Sequence, residues 1–487
     1  MVSSTRLCFL SEEHDLEQVG WDDPQIPLLW RYNQHYFDDL NAAGADARRE
    51  WHRALLQRWL AANPPAKGTA WAPYPLSLRV VNWIKWFLAG EVPPAPVLHS
   101  LAVQVRWLTR RLEWHLLGNH LFINAKALVF AGLWFTGAEA EQWLRLGIGI
   151  LERELPEQIL ADGGQFERSP MYHALALEDL LDLLNLIAAR APAGSVAQRL
   201  VPELRGRSSA MLYWLRCLRH PGGAMARFND CAEGIAPEVD ALEGYAARLG
   251  IEAAHPAAMG VLWLQPSGYV RAVRGPAVLL MDLAPIGPDY LPGHAHADTL
   301  SFELSLAGRE VIVNRGTSVY GSGHRRQVER GTGAHSTVQI GNENSSEVWA
   351  GFRVGRRARP GPVGVNGWCV DGSHDGYRHL SGGPRHLRRW QLLDDGLLVD
   401  DELRPGCELP AAARYHLAPD LMLRAETVQV WWVEAAGQPV ASIEVLRGTA
   451  RVEAWQHARG FGVLVPATTL AIELDRGCAS VRLRWSR

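Results

Sequence analysis

The sequence predicts an α+β multidomain chain, a mostly helical first part followed by an antiparallel β-sandwich. Three observations carry this. Apolar residues recur at helical spacing up to about residue 255, and beyond about residue 262 the hydrophobic period drops to two. The chain, at 487 residues, exceeds what one core of ordinary size holds, so two or at most three domains are expected. The change falls in "AAHPAAMGVLW", which divides the chain into a helical domain over residues 1–258 and a β domain over residues 259–487.

In chain order, "LAVQVRWLTRRLEWHLL", "NHLFINAKALVFAGLWF", "EQWLRLGIGILERELPEQIL" and "LEDLLDLLNLI" each carry an apolar stripe. In the last, Leu177, Leu180, Leu181, Leu184 and Ile187 fall at i, i+3, i+4, i+7 and i+10, one face of an amphipathic helix. Breaks such as "NPP" and "EVPPAP" separate the segments. This rhythm suits helical hairpins arranged in a ring. Past the boundary, "SFELSLAGREVIVN" reads as two alternating runs around an Ala-Gly turn, and "TLAIELDRGCASVRLRW" as two more.

Composition narrows the class. With 47% apolar and 21% charged residues the chain is a folded globular protein, and no run approaches the roughly 18 apolar residues of a membrane span. The N-terminus shows no secretory signal, which predicts a cytoplasmic protein unless a leader is missing from this chain, in which case it is periplasmic or secreted. Six cysteines without a CxxC pair argue against a zinc ribbon or a disulfide framework and are expected to be buried thiols. A net charge of −3 offers no global attraction to nucleic acid or anionic lipid, so an acidic ligand needs a local basic cleft.

Several helical-half segments are more polar than helix packing requires. "LLWRYNQHYFDDL", "WAPYPLSLRVVNWIKWF", "GNHLFINAKAL" and "DGGQFERSPMYHALALEDLL" join aromatics to Asn, His, Arg or Tyr. Twelve of the 20 tryptophans precede residue 220. Most suit core filling, but the group from Asn119 to Tyr172 suits a cleft that holds sugar rings.

Taken in order, "WRYNQHYFDDL", "WAPYPLSLRVVNW", "GNHLFINAKAL", "GGQFERSPMYH", "PGHAHADTLSFEL" and "AHSTVQIG" resemble the heparinase II/III family of polysaccharide lyases, closest to its heparinase III-like branch. The resemblance implies an N-terminal α/α toroid, an incomplete helical barrel, followed by an antiparallel β-sandwich. It also implies β-elimination at a uronic acid. That reaction needs a neutralised carboxylate, a base for the C5 proton and an acid for the departing O4 oxygen. By position, Asn119 matches the residue that bonds the carboxylate, Tyr172 the acid, which for some substrates is also the base, and His294 the base; no cofactor is needed for the chemical step. Alternatively, Asn119 suits a helix N-cap and Tyr172 a packed aromatic.

His296 matches a position that binds a structural metal, usually zinc, together with an aspartate and the later His335. Here Asn314 replaces the aspartate, and a neutral amide is a much weaker zinc ligand. The expected partner is an acidic polysaccharide, glycosaminoglycan-like or a bacterial exopolysaccharide, with no nucleic acid and no membrane insertion. Arg79, Asn82, His120, Arg168, Arg227, Arg315 and Arg326 are candidates to bind it, with His324 and Arg325 beside the last. Two other classes compete. His294, His296 and Asp298 spell the HxHxD opening of metal-dependent hydrolases, which need further ligands close by. A non-catalytic carbohydrate-binding or assembly protein would keep the same fold.

Overall fold

Proline in or just before the first turn, with an apolar stripe behind it, starts several helices of the computed structural model, which describes residues 1–485. Pro73–Leu88, Ala95–Thr109 and Pro170–Arg190 are among them. The other long helices are Arg49–Ala62, Gly118–Trp134, Ala138–Gln158 and Val201–Cys217. The five stripe residues from Leu177 to Ile187 are all buried. Gly118–Trp134 buries residues on every side and packs closely on Ala138–Gln158. A Cβ at Gly147 would stand 2.8 Å from the Ala125 carbonyl oxygen, so this contact requires glycine.

Local pattern misses two features here. The helix expected to continue through "RRLEWHLL" stops at Thr109. Asn124 captures the turn that follows, its Oδ1 accepting from the Glu113 N–H at 2.9 Å and its Nδ2 donating to the Glu113 carboxylate at 3.1 Å. The N-terminus forms a β-hairpin, Arg6–Phe9 with Glu12–Asp15.

After the N-terminal hairpin the next strand begins at Gly260, but the chain packs as two interleaved units. The first comprises residues 1–158, 178–208 and 245–251; the second comprises residues 159–177, 209–244 and 252–487. A cut at 258 therefore divides secondary structure rather than packing. In the first unit Lys126 is buried and donates to Asp179 and Asp182, each at 2.7 Å.

In the second unit three antiparallel sheets account for most strands. A five-stranded meander runs Gly260–Leu264, Tyr269–Arg274, Ala277–Asp282, Phe302–Leu306, Arg309–Ile312. An eight-stranded sheet has Gly364–Asn366 and Leu421–Ala425 at its edges, and a four-stranded sheet runs Thr449–Gly460, Val463–Glu473, Ala411–His416, Val338–Ile340. Phe302, Trp390, Tyr415 and Leu483 belong to the shared core. The alternation in "SFELSL" predicts a strand with one wet face, yet Phe302–Leu306 is buried throughout. Its polar face is covered: Glu303 accepts from His220 at 2.7 Å, and Ser305 bonds the other ring nitrogen at 2.7 Å. Among the described residues no helix is long and apolar enough to cross a membrane. Of the cysteines expected to be buried, Cys217 and Cys231 are; Cys8 is exposed, and Cys369, Cys407 and Cys478 are half-buried.

Candidate active site

The segment "QFERSPMYH" is held in an irregular path by the second unit's own polar groups. Arg168 takes a left-handed φ of 61°, a conformation that costs a non-glycine residue about 1 kcal/mol or more. Its carbonyl is fixed by the Tyr269 hydroxyl at 2.7 Å and by Asn229 Nδ2 at 3.1 Å. The next residue caps the helix: Ser169 Oγ accepts from the Tyr172 N–H at 3.2 Å and donates to the Asp230 carbonyl at 2.5 Å. The turn aims Glu167 and Tyr172 at one loop.

That loop carries His294. Its Nδ1 lies 2.5 Å from Oε2 of the buried Glu167. The pairing places the proton on Nδ1 and leaves Nε2 with the lone pair. The Tyr172 ring stacks on the imidazole at 3.8 Å and 17°, and its hydroxyl meets the Tyr320 hydroxyl at 2.9 Å. Burial raises the Tyr320 pKa well above the ordinary phenol value, so Tyr320 remains a neutral hydrogen-bond partner. Phe352 packs edge-on against Tyr320 and His294, yet stays 43% exposed, which leaves an aromatic surface beside the pair. The sequence reading missed Glu167, Tyr320 and Phe352. Glu167 stood in a quoted motif, and its signal was a carboxylate two residues before a Ser-Pro helix start.

Beneath them Asp230 ties the parts together. Its N–H donates to the His294 carbonyl at 3.0 Å, its carboxylate accepts from His296 Nε2 at 2.8 Å, and the Arg326 guanidinium grips both carboxylate oxygens. Burial alone would raise this carboxyl; Arg326 and His296 instead hold it well below the usual range.

Most of the cations expected to bind substrate are committed elsewhere. Arg326 is fully buried on Asp230. Arg227 is buried between Glu310 and Glu233, and Arg168 donates to the Ser267 and Phe166 carbonyls. In the first unit Arg79 is fully buried on Gln104 and the His35 and Ala70 carbonyls. Asn82 is buried on the Tyr36 carbonyl and Asp38. All five are corrections to the sequence reading, for one reason: a buried donor without partners is costly, and each of these has engaged its donors inside the protein, Arg227 all but its Nε. Trp71 and Trp83 are likewise buried. His324 and Arg325 are exposed, and Arg315 is half-buried.

Asn119 and His120 belong to the first unit and are half-buried there. The N-cap position of their helix is Leu117, with a left-handed φ of 59° and no side-chain cap bond, so Asn119 does not cap it. His120 Nδ1 is held by Glu113 at 3.1 Å, and its ring packs on Tyr74 at 4.5 Å.

Family models match almost end to end: the heparinase II/III N-terminus over residues 41–240, and the heparinase II/III-like C-terminal region over residues 259–483. The chain belongs to the heparinase II/III-like family. Among curated relatives, FtsZ-localized protein C of Caulobacter vibrioides is 28% identical over 82% of this chain and 73% of its own length. A heparin-sulfate lyase of Bacteroides stercoris is 26% identical over 47% of this chain and 37% of its own length. In fold, the chain is similar to heparinase III (TM-score 0.74, 17% identity, 93% of this chain and 76% of that one). It is also similar to heparan sulfate lyase from Pedobacter heparinus (TM-score 0.66, 19% identity, 98% and 80%).

The metal implied for this heparinase II/III-like chain meets a poor donor set. Asn314 Oδ1 is engaged by His335 Nδ1 at 3.0 Å, and the carboxylate nearest His296 is saturated by Arg326. What remains without a partner is His296 Nδ1, His335 Nε2 and Asn314 Nδ2. These are two neutral imidazole nitrogens and an amide donor, with no anionic ligand. Burial above all keeps both imidazoles neutral; at His296 Arg326 and Arg330 work against the pull of Asp230, and Arg315 adds positive charge at His335. These residues do not make a zinc site. Dialysis against a chelator is expected to leave the melting temperature unchanged, and a fall of several degrees would show an ion on the two imidazoles. Elsewhere among the described residues, His220, Glu303 and Glu310 come close enough to share an ion. Arg227 already occupies Glu310, and Glu303 is satisfied by His220 and two backbone N–H groups. Asp298, the hydrolase candidate, is buried and accepts from the Asn229 N–H at 3.2 Å.

Proposed function

We propose that the protein is a polysaccharide lyase that cleaves a uronic-acid-containing polysaccharide by β-elimination. The observation that carries this reading is the His294–Glu167 pair with Tyr172 stacked on it. Nε2 of His294 takes the C5 proton, and Glu167 stabilises the imidazolium that forms. The C5–H electrons become the C4–C5 double bond, and the C4–O4 bond breaks. The Tyr172 phenol gives its proton to O4, with Tyr320 holding the phenol in place. The products are a new reducing end, whose anomeric hydroxyl carries the former O4, and an unsaturated uronate end. The exposed face of Phe352 offers a platform for a sugar ring.

Asn119 takes the uronate carboxylate in this reading, because an amide donor stabilises charge that builds there as the proton leaves. Asn119→Ala is therefore expected to lower kcat by about 10²- to 10³-fold with a smaller change in KM. A change in KM alone would make the residue a binding contact only.

The heparin-sulfate lyases among the relatives support a glycosaminoglycan-like substrate, with a bacterial exopolysaccharide as the alternative. The direct test is a screen of acidic polysaccharides for the ultraviolet absorbance of the unsaturated product. A second reading, a non-catalytic acidic-carbohydrate-binding or assembly protein, draws support from the relative named for FtsZ localisation, which matches more of this chain than the lyase does. Saccharide binding with no absorbing product from any uronate polymer would favour it.

A further inference from the structure

Arg315 of the second unit has neither an acid partner nor, unlike Arg168, Arg271 and Arg330, a carbonyl on its guanidinium among the described residues. Arg315 lies over the Trp455 ring, its Cζ 5.1 Å from the centroid, and its Nε is buried without a hydrogen bond. An aromatic face holds a guanidinium flat and leaves its donor fork for a carboxylate or sulfate. The side chain lines a cavity of about 340 Å³ between the turn around Gly331 and the four-stranded sheet.

The opposite wall is Arg414, Gln339 and Glu453. Glu453 is held by two closer cations, Arg414 at 2.9 Å and Arg451 at 2.7 Å, so its pull on Arg315 is shared with them. Glu329, the other carboxylate that acts on Arg315, is tied to the Ser318 N–H and hydroxyl. Asn344 adds an amide whose Oδ1 is used by the Thr332 N–H at 2.9 Å. The cavity thus keeps a net positive charge among amides. Burial, and then Arg414, push the Arg315 pKa down to about 10, which still leaves it charged at neutral pH.

We propose that this cavity is a second saccharide subsite that holds the carboxylate or sulfate of an acidic sugar on the Arg315 guanidinium. The ligand's identity rests on the lyase reading; the site itself rests on the unpaired guanidinium and the cavity. A bidentate oxyanion on Arg315, with amide donors around it, would hold a polymer away from the bond being cut, and would therefore act on KM rather than kcat.

The test is calorimetric titration of the full chain with three probes: a uronate hexasaccharide, a neutral hexasaccharide and inorganic sulfate. To prevent cleavage the titrations use Tyr172→Phe, with Arg315→Gln or Val328→Glu added. Val328 lines the same cavity and is 38% exposed, so a glutamate there opposes an anion without disturbing the core. Each added change is expected to raise Kd for the acidic hexasaccharide about tenfold and to leave neutral binding unchanged. In the otherwise native enzyme, each should raise KM for polymer at unaltered kcat. Equal acidic-hexasaccharide binding with and without the added changes would overturn the subsite. So would an effect confined to inorganic sulfate, which would mark a simple anion site. Arg315-dependent binding by a protein that yields no unsaturated product would overturn the lyase reading and leave the subsite standing.

Discussion

Replacing His294 with alanine, or Tyr172 with phenylalanine, is expected to lower kcat by about 10²- to 10⁴-fold, the usual contribution of a general acid or base. Tyr172→Phe should fold, since Tyr172 is partly exposed and loses only its hydroxyl; His294→Ala leaves the buried Glu167 carboxylate without its imidazole partner, so its fold is checked by calorimetry before turnover is compared. Glu167→Gln should fall in the same direction by about 10²-fold, because an amide neither fixes the Nδ1–H tautomer as firmly nor stabilises the imidazolium. The expected signature is a loss in kcat at nearly constant KM, with partial recovery in Glu167→Asp. Near-native turnover of purified, folded His294→Ala would remove the base from the mechanism. Native turnover of Glu167→Gln would leave the carboxylate a packing group.

The largest stability effect is expected at Asp230. Arg326 and Asp230 are both fully buried, and breaking such a pair from one side typically costs about 3–5 kcal/mol, because the remaining charge has no water to turn to. Asp230→Ala should therefore lower the melting temperature sharply, measured by calorimetry. The double variant Asp230→Ala, Arg326→Met should recover much of the loss. If the single variant melts like the parent, the guanidinium finds another partner and Asp230 does not anchor the loop. Asp230 joins the Ser169 cap to the His294 backbone, so whatever Asp230→Ala protein remains folded should also turn over slowly.

The helical stripes, the change to strands at Gly260 and the nucleus of the site were legible as local pattern. Leu177 to Ile187 repeat at helical spacing because only one face of that helix can be buried. "SPMYH" reads as a helix start because Ser supplies the cap and Pro tolerates the first turn. The order of motifs around Asn119, Tyr172 and His294 was enough to point to a lyase. The cation list failed because charge says nothing about burial. Arg79, Arg168, Arg227 and Arg326 look like anion binders in one dimension, and each proves to be a buried donor engaged by carbonyls or carboxylates up to 99 residues away in the chain.

The sequence by itself thus determined most of the long helices, the later change to strands and the residue types on which a β-elimination reading rests, since periodicity, caps and side-chain chemistry are local properties. Only the tertiary structure decided which groups meet. It brought Glu167 onto His294 across 127 positions and Tyr320 onto Tyr172 across 148. It also set Arg326 against Asp230, whose carboxylate a metal at His296 would have needed. It left Arg315 on Trp455 without an acid partner among the described residues. The reason is that hydrogen bonds and ion pairs between distant segments depend on how the chain closes on itself, and no local pattern in the sequence records that closure.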